Sequence, residues 1–174
     1  VVSELTSYTF ANGTASFWLT ADGNASDVKF EAYKLGYLGG NTFVVGNPDI
    51  AVGNSVILYG KVTNYNGTYE TTQNAAYLYS LDGKTAITQK PTITGAGDVT
   101  VVPAGDGTLE ITLASEDDAT IYYTTDGTAP SNTSTQYSAP FTIDDACTIK
   151  AIAYKDGKVS SAIASKSFTK DDGS

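Results

Sequence analysis

The residue types that could do chemistry in this sequence are carboxylates and aromatic rings. No histidine is present, which removes the commonest general base and with it Ser-His-Asp and Cys-His catalysis. Acid–base work would fall to paired carboxylates of the kind that flank a glycosidic bond. The densest acidic clusters, Glu116-Asp117-Asp118 and Asp144-Asp145, lie at the ends of strand-like stretches and read as solvated turns. Asp126, before Gly127, reads as a turn former too. The D-x-D-x-D-G spacing of a calcium loop is absent, and the single Cys147 has no partner for a disulfide or a zinc site. In the run Ala146-Cys147-Thr148-Ile149 the thiol is expected as a buried small hydrophobe. The expectation is a protein without catalytic residues, metal or cofactor.

The aromatics carry the sharper hypothesis. Twelve Tyr and one Trp supply flat apolar rings of the type that stack on sugar faces. If Phe17 points inward, alternation along a strand puts Trp18 outward, and Tyr33 on a neighbouring strand shares its face. Tyr65 and Tyr69 flank Asn66-Gly67 and are expected to be exposed, either as ligand contacts or as a cross-strand pair that stabilises the hairpin. Trp18, Tyr33, Tyr65 and Tyr69 are therefore the candidate ligand-binding residues. The competing role for Trp18 is to cover the end of a barrel or to pack against a second domain.

Charge narrows the partners. All ten cations are Lys, against 19 acidic residues, for a net charge of −9, so a phosphate backbone would meet repulsion instead of releasing counterions. The arginine fork that grips phosphate or guanine is missing. Before residue 84 the cations are Lys29, Lys34 and Lys61, beside Glu4, Asp22, Asp27, Glu31, Asp49, Glu70 and Asp82. No nucleic-acid partner is expected, and no apolar run reaches the length of a membrane-spanning helix.

The elements that must position these residues are strands. Short segments rich in Val, Ile, Thr, Tyr and Phe alternate with Gly-containing turns about every ten residues, which is an all-β pattern. The segments 15–20 and 28–33, joined through Asp22-Gly23, form one pair. A long strand over 55–63 runs toward the type I′ signal Asn66-Gly67 and returns over 68–71, with a further strand over 76–81. Gly60 inside a strand predicts a bulge or sharp bend, and 47–52 reads as a turn or loop. A composition shift at 82–91, with Asp82-Gly83-Lys84 and Pro91, marks a linker. Beyond it, segments at 109–113, 120–124, 141–143, 148–154 and 165–168 predict a β-sandwich.

Residues Thr120-Ile-Tyr-Tyr-Thr-Thr-Asp-Gly-Thr-Ala-Pro-Ser131, Tyr137-Ser-Ala-Pro-Phe-Thr-Ile143 and Thr148-Ile-Lys-Ala-Ile-Ala-Tyr-Lys-Asp-Gly157 resemble the chitobiase/β-hexosaminidase C-terminal-type domain. That resemblance implies an immunoglobulin or fibronectin III-like sandwich, an accessory module of secreted bacterial proteins. Residues Ala15-Ser-Phe-Trp-Leu-Thr-Ala-Asp-Gly23, Val52-Gly-Asn-Ser-Val-Ile-Leu-Tyr-Gly-Lys-Val-Thr-Asn-Tyr-Asn-Gly67 and Ala76-Tyr-Leu-Tyr-Ser-Leu81 resemble the OB-fold-like domains of surface proteins from anaerobic gut bacteria. Val1-Val2-Ser3-Glu4 is similar to the tail end of that family's first strand, which implies a truncated strand. The implied bacterial origin makes the Asn-x-Thr/Ser triplets at Asn12, Asn24, Asn66 and Asn132 a by-product of turn composition.

The sequence thus predicts an all-β chain, with an OB-like small barrel over 1–84, an immunoglobulin-like β-sandwich over 90–170 and a frayed acidic tail over 171–174. The expected role is a non-catalytic extracellular or cell-surface module of a bacterium for glycan contact, adhesion or spacing, with a polysaccharide or a surface protein as partner. The alternatives are a purely structural or protein-interaction component, as in a fibre or phage-like assembly, and single-stranded nucleic-acid binding by the OB-like domain.

Overall fold

The computed structural model describes residues 1–9, 12–44, 47 and 50–173. Its chain divides into two units, Val1–Ile87 with Gly157–Val159, and Thr88–Asp156 with Ser160–Ser174. Regular structure is almost wholly β, as the alternation of apolar and polar residues requires.

The first unit holds strands β1 (Val2–Thr9), β2 (Thr14–Leu19), β3 (Phe30–Leu35), β4 (Val56–Tyr65) and β5 (Thr68–Leu81). They form one sheet in the order β1-β2-β3-β5-β4. The contact between β3 and β5 is parallel, and the other neighbours are antiparallel. The sheet wraps one core: Val2, Phe17, Ala32, Leu35 and Leu78 come from the strands, and Tyr37, Leu38, Phe43 and Ile50 from the β3–β4 connection. Tyr37 and Phe43 pack ring against ring, 4.6 Å between centroids.

The small barrel expected for 1–84 is not closed among the described residues, because no ladder joins β1 to β4. The two edges meet at Val2, whose N–H donates to Asn54 O and whose carbonyl accepts from Gly53 N–H, each at 2.9 Å. Both edge strands carry register shifts, β1 after Val2 and after Leu5, and β4 after Ile57 and after Gly60. Such bulges bend a strand and interrupt its ladder. Gly60 is the bend that the sequence signalled, with φ of 152° and a Cβ position only 2.4 Å from Ala76 Cα. The hairpin also follows its sequence signal, Asn66 and Gly67 both having positive φ, 51° and 91°.

Other elements differ in extent from expectation. The first strand runs on to Thr9, well beyond Val1–Glu4. The β3 strand begins at Phe30, and Val28 is 95% exposed, because the turn closed by Asp27 N–H on Asn24 O delays entry into the sheet. The segments 68–71 and 76–81 are one 14-residue strand, with Asn74 at positive φ absorbing a bend without a break. Within 47–52, residues 48 and 49 lie outside the described residues; Asn47 N–H donates to Val44 O at 3.0 Å.

The second unit is a sandwich of two sheets. One has the order β10-β9-β12-β13-β7 and the other β11-β8-β6, where β6 is Thr92–Gly95, β7 Val101–Val102, β8 Leu109–Ala114, β9 Thr120–Thr124, β10 Thr135–Gln136, β11 Phe141–Ile143, β12 Cys147–Tyr154 and β13 Ala164–Lys170. Leu109, Ile111 and Leu113 of β8 alternate into the core to meet Ile149, Ala151 and Ala153 of β12. The tail begins at Asp171, whose N–H donates to Val102 O at 2.9 Å; Ser174 lies outside the described residues.

Candidate functional site

Register decides which side chains share a face of the first sheet. Glu4 on β1 pairs with Trp18 on β2, Trp18 with Glu31 on β3, Glu31 with Glu70 on β5, and Glu70 with Thr63 on β4. Directly opposed residues project to the same side, so these five positions form one row across all five strands. Two residues along β3 and β4 from this row, the same face carries Tyr33 and Tyr65.

The centre of that face is a cleft of about 460 Å³ lined by Glu31, Tyr33, Thr63, Tyr65, Glu70 and the Thr72-Gln73 pair. Glu70 is only 9% exposed and Tyr65 is 64% exposed, so the cleft has a carboxylate floor and an accessible aromatic wall. Glu31 and Glu70 stand directly opposite one another across the parallel β3–β5 contact. Burial first, then the neighbouring charge and hydrogen bond of Glu70, hold the Glu31 carboxyl above the usual carboxylate range. Backbone placement beside it is tight: Thr71 Oγ1 accepts Tyr33 N–H at 2.8 Å and donates to Tyr33 O at 3.0 Å.

Of the four aromatic residues singled out in the sequence, the structure brings Tyr33 and Tyr65 to this one cleft. Trp18 stands on the same row but does not line it. Its half-buried ring has Lys29 Nζ 5.9 Å from the centroid, and that ammonium pairs with Glu4 at 2.9 Å. Tyr69 is 62% exposed on the opposite side of β5. It is not the cross-strand partner of Tyr65: a two-residue loop opposes Tyr65 to Thr68 and Tyr69 to Asn64. Lys34 Nζ lies 5.0 Å from the Tyr33 ring centroid.

Sequence reasoning counted Glu31 and Glu70 only among the surface charges. The local signal was a single acid between Phe30 and Ala32 in a strand; the partner arrives from 39 positions along the chain through the parallel β3–β5 contact. It also passed over Tyr59 and Tyr77, which face one another across β4 and β5 with centroids 5.4 Å apart.

In the second unit the acidic clusters are built into turns. Glu116 accepts Gln89 N–H at 2.9 Å and pairs with Lys155 at 3.4 Å, and Lys155 also donates to Asp117 O. Asp145 accepts Ala146 N–H, and Lys170 donates to Asp144 O at 2.7 Å. Asp126 accepts from Thr128 N–H at 3.0 Å and from the Thr128 hydroxyl at 2.6 Å, and these bonds hold its carboxyl below the usual range. Cys147 is half-buried against the core, less enclosed than its apolar run implied, and burial with Asp145 nearby pushes its thiol pKa up. The rings of Tyr123 and Phe141 stack at 4.5 Å with Tyr137 edge-on, packed against the core. Among the described residues no three metal-ligating side chains converge, and no helix is long and apolar enough to cross a membrane.

No curated protein matches the chain. Residues 109–168, from the start of β8 into β13, match the family described as Fn3 associated, so the second unit is similar to a fibronectin III-associated domain over that span.

Proposed function

We propose that this chain is a non-catalytic accessory module that works outside a bacterial cell or on its surface, with the first unit contacting glycan and the second serving as a spacer. The second half of this reading is supported by the match over 109–168 to an Fn3-associated family. The first half rests on one observation: Tyr33 and Tyr65, from different strands, wall a single cleft of about 460 Å³ whose other lining groups are hydroxyls, an amide and carboxyls. That combination of flat apolar rings and convergent hydrogen-bonding groups suits a sugar, and the volume falls in the usual range for ligand sites. The sheet order, with β3 between β2 and β5, supports the OB-like resemblance, and OB-folds use the strand 2–3 face and the loop between strands 4 and 5 to hold oligosaccharides or oligonucleotides. The carboxylate floor disfavours an oligonucleotide, whose phosphates it would repel.

The test is a glycan array and a polysaccharide-retardation gel with the intact chain and with Tyr65→Ala, Tyr33→Ala and Trp18→Ala. Retention lost in the first two variants supports the cleft; retention lost only in Trp18→Ala moves the contact to the neighbouring strand pair. No retention on a broad panel favours the second reading, a structural or protein-interaction component. A separate observation motivates that reading: β4 is a ten-residue edge strand with Ile57, Tyr59 and Val62 exposed, and such an edge can accept a strand from another chain.

A further inference from the structure

We infer that the Tyr33–Tyr65 cleft is one half of a longer track that continues along the β3–β5 contact into a second cleft at Tyr77, so that the preferred ligand is an extended chain of neutral sugars. The inference rests on reading the Tyr33–Tyr65 cleft as a glycan-contact site and names the class of glycan that site takes.

The second cleft, of about 460 Å³, is walled by Asn12, Asn41, Thr42, Asn74 and Tyr77. Three parts of the chain supply them: Asn12 precedes β2, Asn41 and Thr42 lie in the β3–β4 connection, and Asn74 and Tyr77 are on β5. This cleft opens on the same face as the first. Ala76 and Leu78 are buried in the core, so Tyr77 between them turns outward, as Tyr33 and Glu70 do. Its ring lies 5.4 Å from that of the exposed Tyr59. The two clefts follow one another along β5, Thr72 and Gln73 closing the first and Asn74 beginning the second. One parallel contact underlies both. It pairs Glu31 with Glu70 at one end and Gly36 with Tyr77 at the other, where Gly36 N–H donates to Ala76 O at 3.0 Å and Gly36 O accepts Leu78 N–H at 2.9 Å. From Glu70 to Tyr77 a strand rising about 3.3 Å per residue covers about 20 Å, allowing for the bend at Asn74. That length exceeds a single sugar ring.

What the second cleft offers is neutral hydrogen bonding beside an apolar ring. Each carboxamide presents donors and an acceptor, which neighbouring sugar hydroxyls complement. Asn41 Nδ2 donates to Leu38 O at 2.7 Å, which fixes that amide in place. Asn12 and Asn74 are exposed, and among the described residues no protein group bonds their side chains. A methyl on Gly40 would stand 4.0 Å from Tyr77 Cδ1, so glycine there leaves the edge of the ring uncovered. Local structure explains Asn41, through its loop bond, and Asn74, through its φ of 56°. It does not explain why both arrive beside Asn12 and an uncovered ring. No charged side chain lines this cleft, and no lysine lines either one. A uronate or sulfated sugar would therefore find no cation in the second cleft and would meet Glu31 and Glu70 in the first. A ligand long enough to engage both clefts makes its second contact intramolecularly, and should bind much more tightly than one that fills a single cleft.

The experiment starts with retardation of the full chain in gels containing xylan, galactomannan, soluble starch or hydroxyethylcellulose, with polygalacturonate as the acidic control. Calorimetric titration follows, with the dimer and the hexamer of the backbone sugar of the polymer that retards the chain most. The expected result is retardation by a neutral polymer, none by polygalacturonate, and a hexamer at least tenfold tighter than the dimer. Tyr65→Ala should weaken both ligands. Tyr77→Ala should weaken the hexamer alone. Because that ring also packs on Tyr59, Asn74→Gly provides a second variant: glycine is at ease at positive φ, and loss of the carboxamide should weaken the hexamer by about tenfold with the dimer unchanged. A hexamer no tighter than the dimer, or one that neither Tyr77→Ala nor Asn74→Gly affects, overturns the inference and leaves the Tyr33–Tyr65 cleft as a site for short glycans. Loss of binding in those two variants with Tyr65→Ala unaffected also overturns it, since the first cleft then takes no part. Equal retardation by polygalacturonate refutes the assignment to neutral sugars. Retardation by none of the polymers overturns the inference together with the glycan reading.

Discussion

Replacing Glu70 by Gln should make the first unit more stable at neutral pH, not less. Two unit charges about 4 Å apart repel by about 1 kcal/mol in bulk water and about 4 kcal/mol at an effective dielectric near 20. Glu31 is half-exposed and Glu70 nearly buried, so solvent screening places the pair toward the lower end, about 1–2 kcal/mol. Gln keeps the volume and turns an acceptor into an amide that donates to the Glu31 carboxylate. The dependence on pH follows from the raised Glu31 pKa. The folded state holds the Glu31 proton more tightly than the unfolded chain does, so stability is intact below the ordinary carboxyl range and declines as pH climbs through it toward the raised value. The gain in Glu70→Gln should accordingly be about 1–2 kcal/mol at pH 7.5 and vanish near pH 4. The sole Trp, Trp18, lies in this unit, so urea unfolding followed by its fluorescence reads the unit directly. A thermal midpoint raised by roughly 4 °C or more at pH 7.5 would accompany it. No gain at pH 7.5, or an equal gain at both pH values, would refute the reasoning.

Phe17→Ala empties a fully buried ring site and should lower the stability of the first unit by about 3–5 kcal/mol in the same urea assay. Gly60→Ala puts a methyl 2.4 Å from Ala76 Cα at a φ that side chains avoid; backbone strain alone should cost about 1–3 kcal/mol, visible as an earlier Trp18 transition. Asp126→Ala removes the acceptor for two Thr128 donors. It should destabilise the second unit at pH 7, followed by circular dichroism, with the gap to wild type closing as acid protonates Asp126 and abolishes the advantage of its lowered pKa. Cys147, half-buried with a raised thiol pKa, should react with a disulfide reagent at pH 7 at least about tenfold more slowly than a free cysteine peptide, and at the peptide's rate in denaturant.

Local chemistry was legible in the sequence because it acts over a few residues. Alternation set Phe17 and Trp18 on opposite faces, Asn66-Gly67 named its own turn, and Gly60 announced the bend. These sufficed for an all-β chain, since period-2 patterning has few other ways to bury its apolar side. Tyr65 and Tyr69 show where pattern alone stops: both flank the hairpin, yet the two-residue loop sets a register that sends them to opposite sides.

The cleft belongs to the tertiary structure. Glu31 and Glu70 meet only through a parallel pairing between strands separated by the whole β4 excursion, and no local propensity encodes that register. The open seam between β1 and β4 likewise depends on where bulges fall along both edges, not on the composition of either strand. The sequence by itself determined which residues had to be strands, which had to turn, and which types of catalysis lacked their residues. Tertiary structure alone decided which acids and rings share a face, because sheet register is set by the summed packing of a core to which every strand contributes.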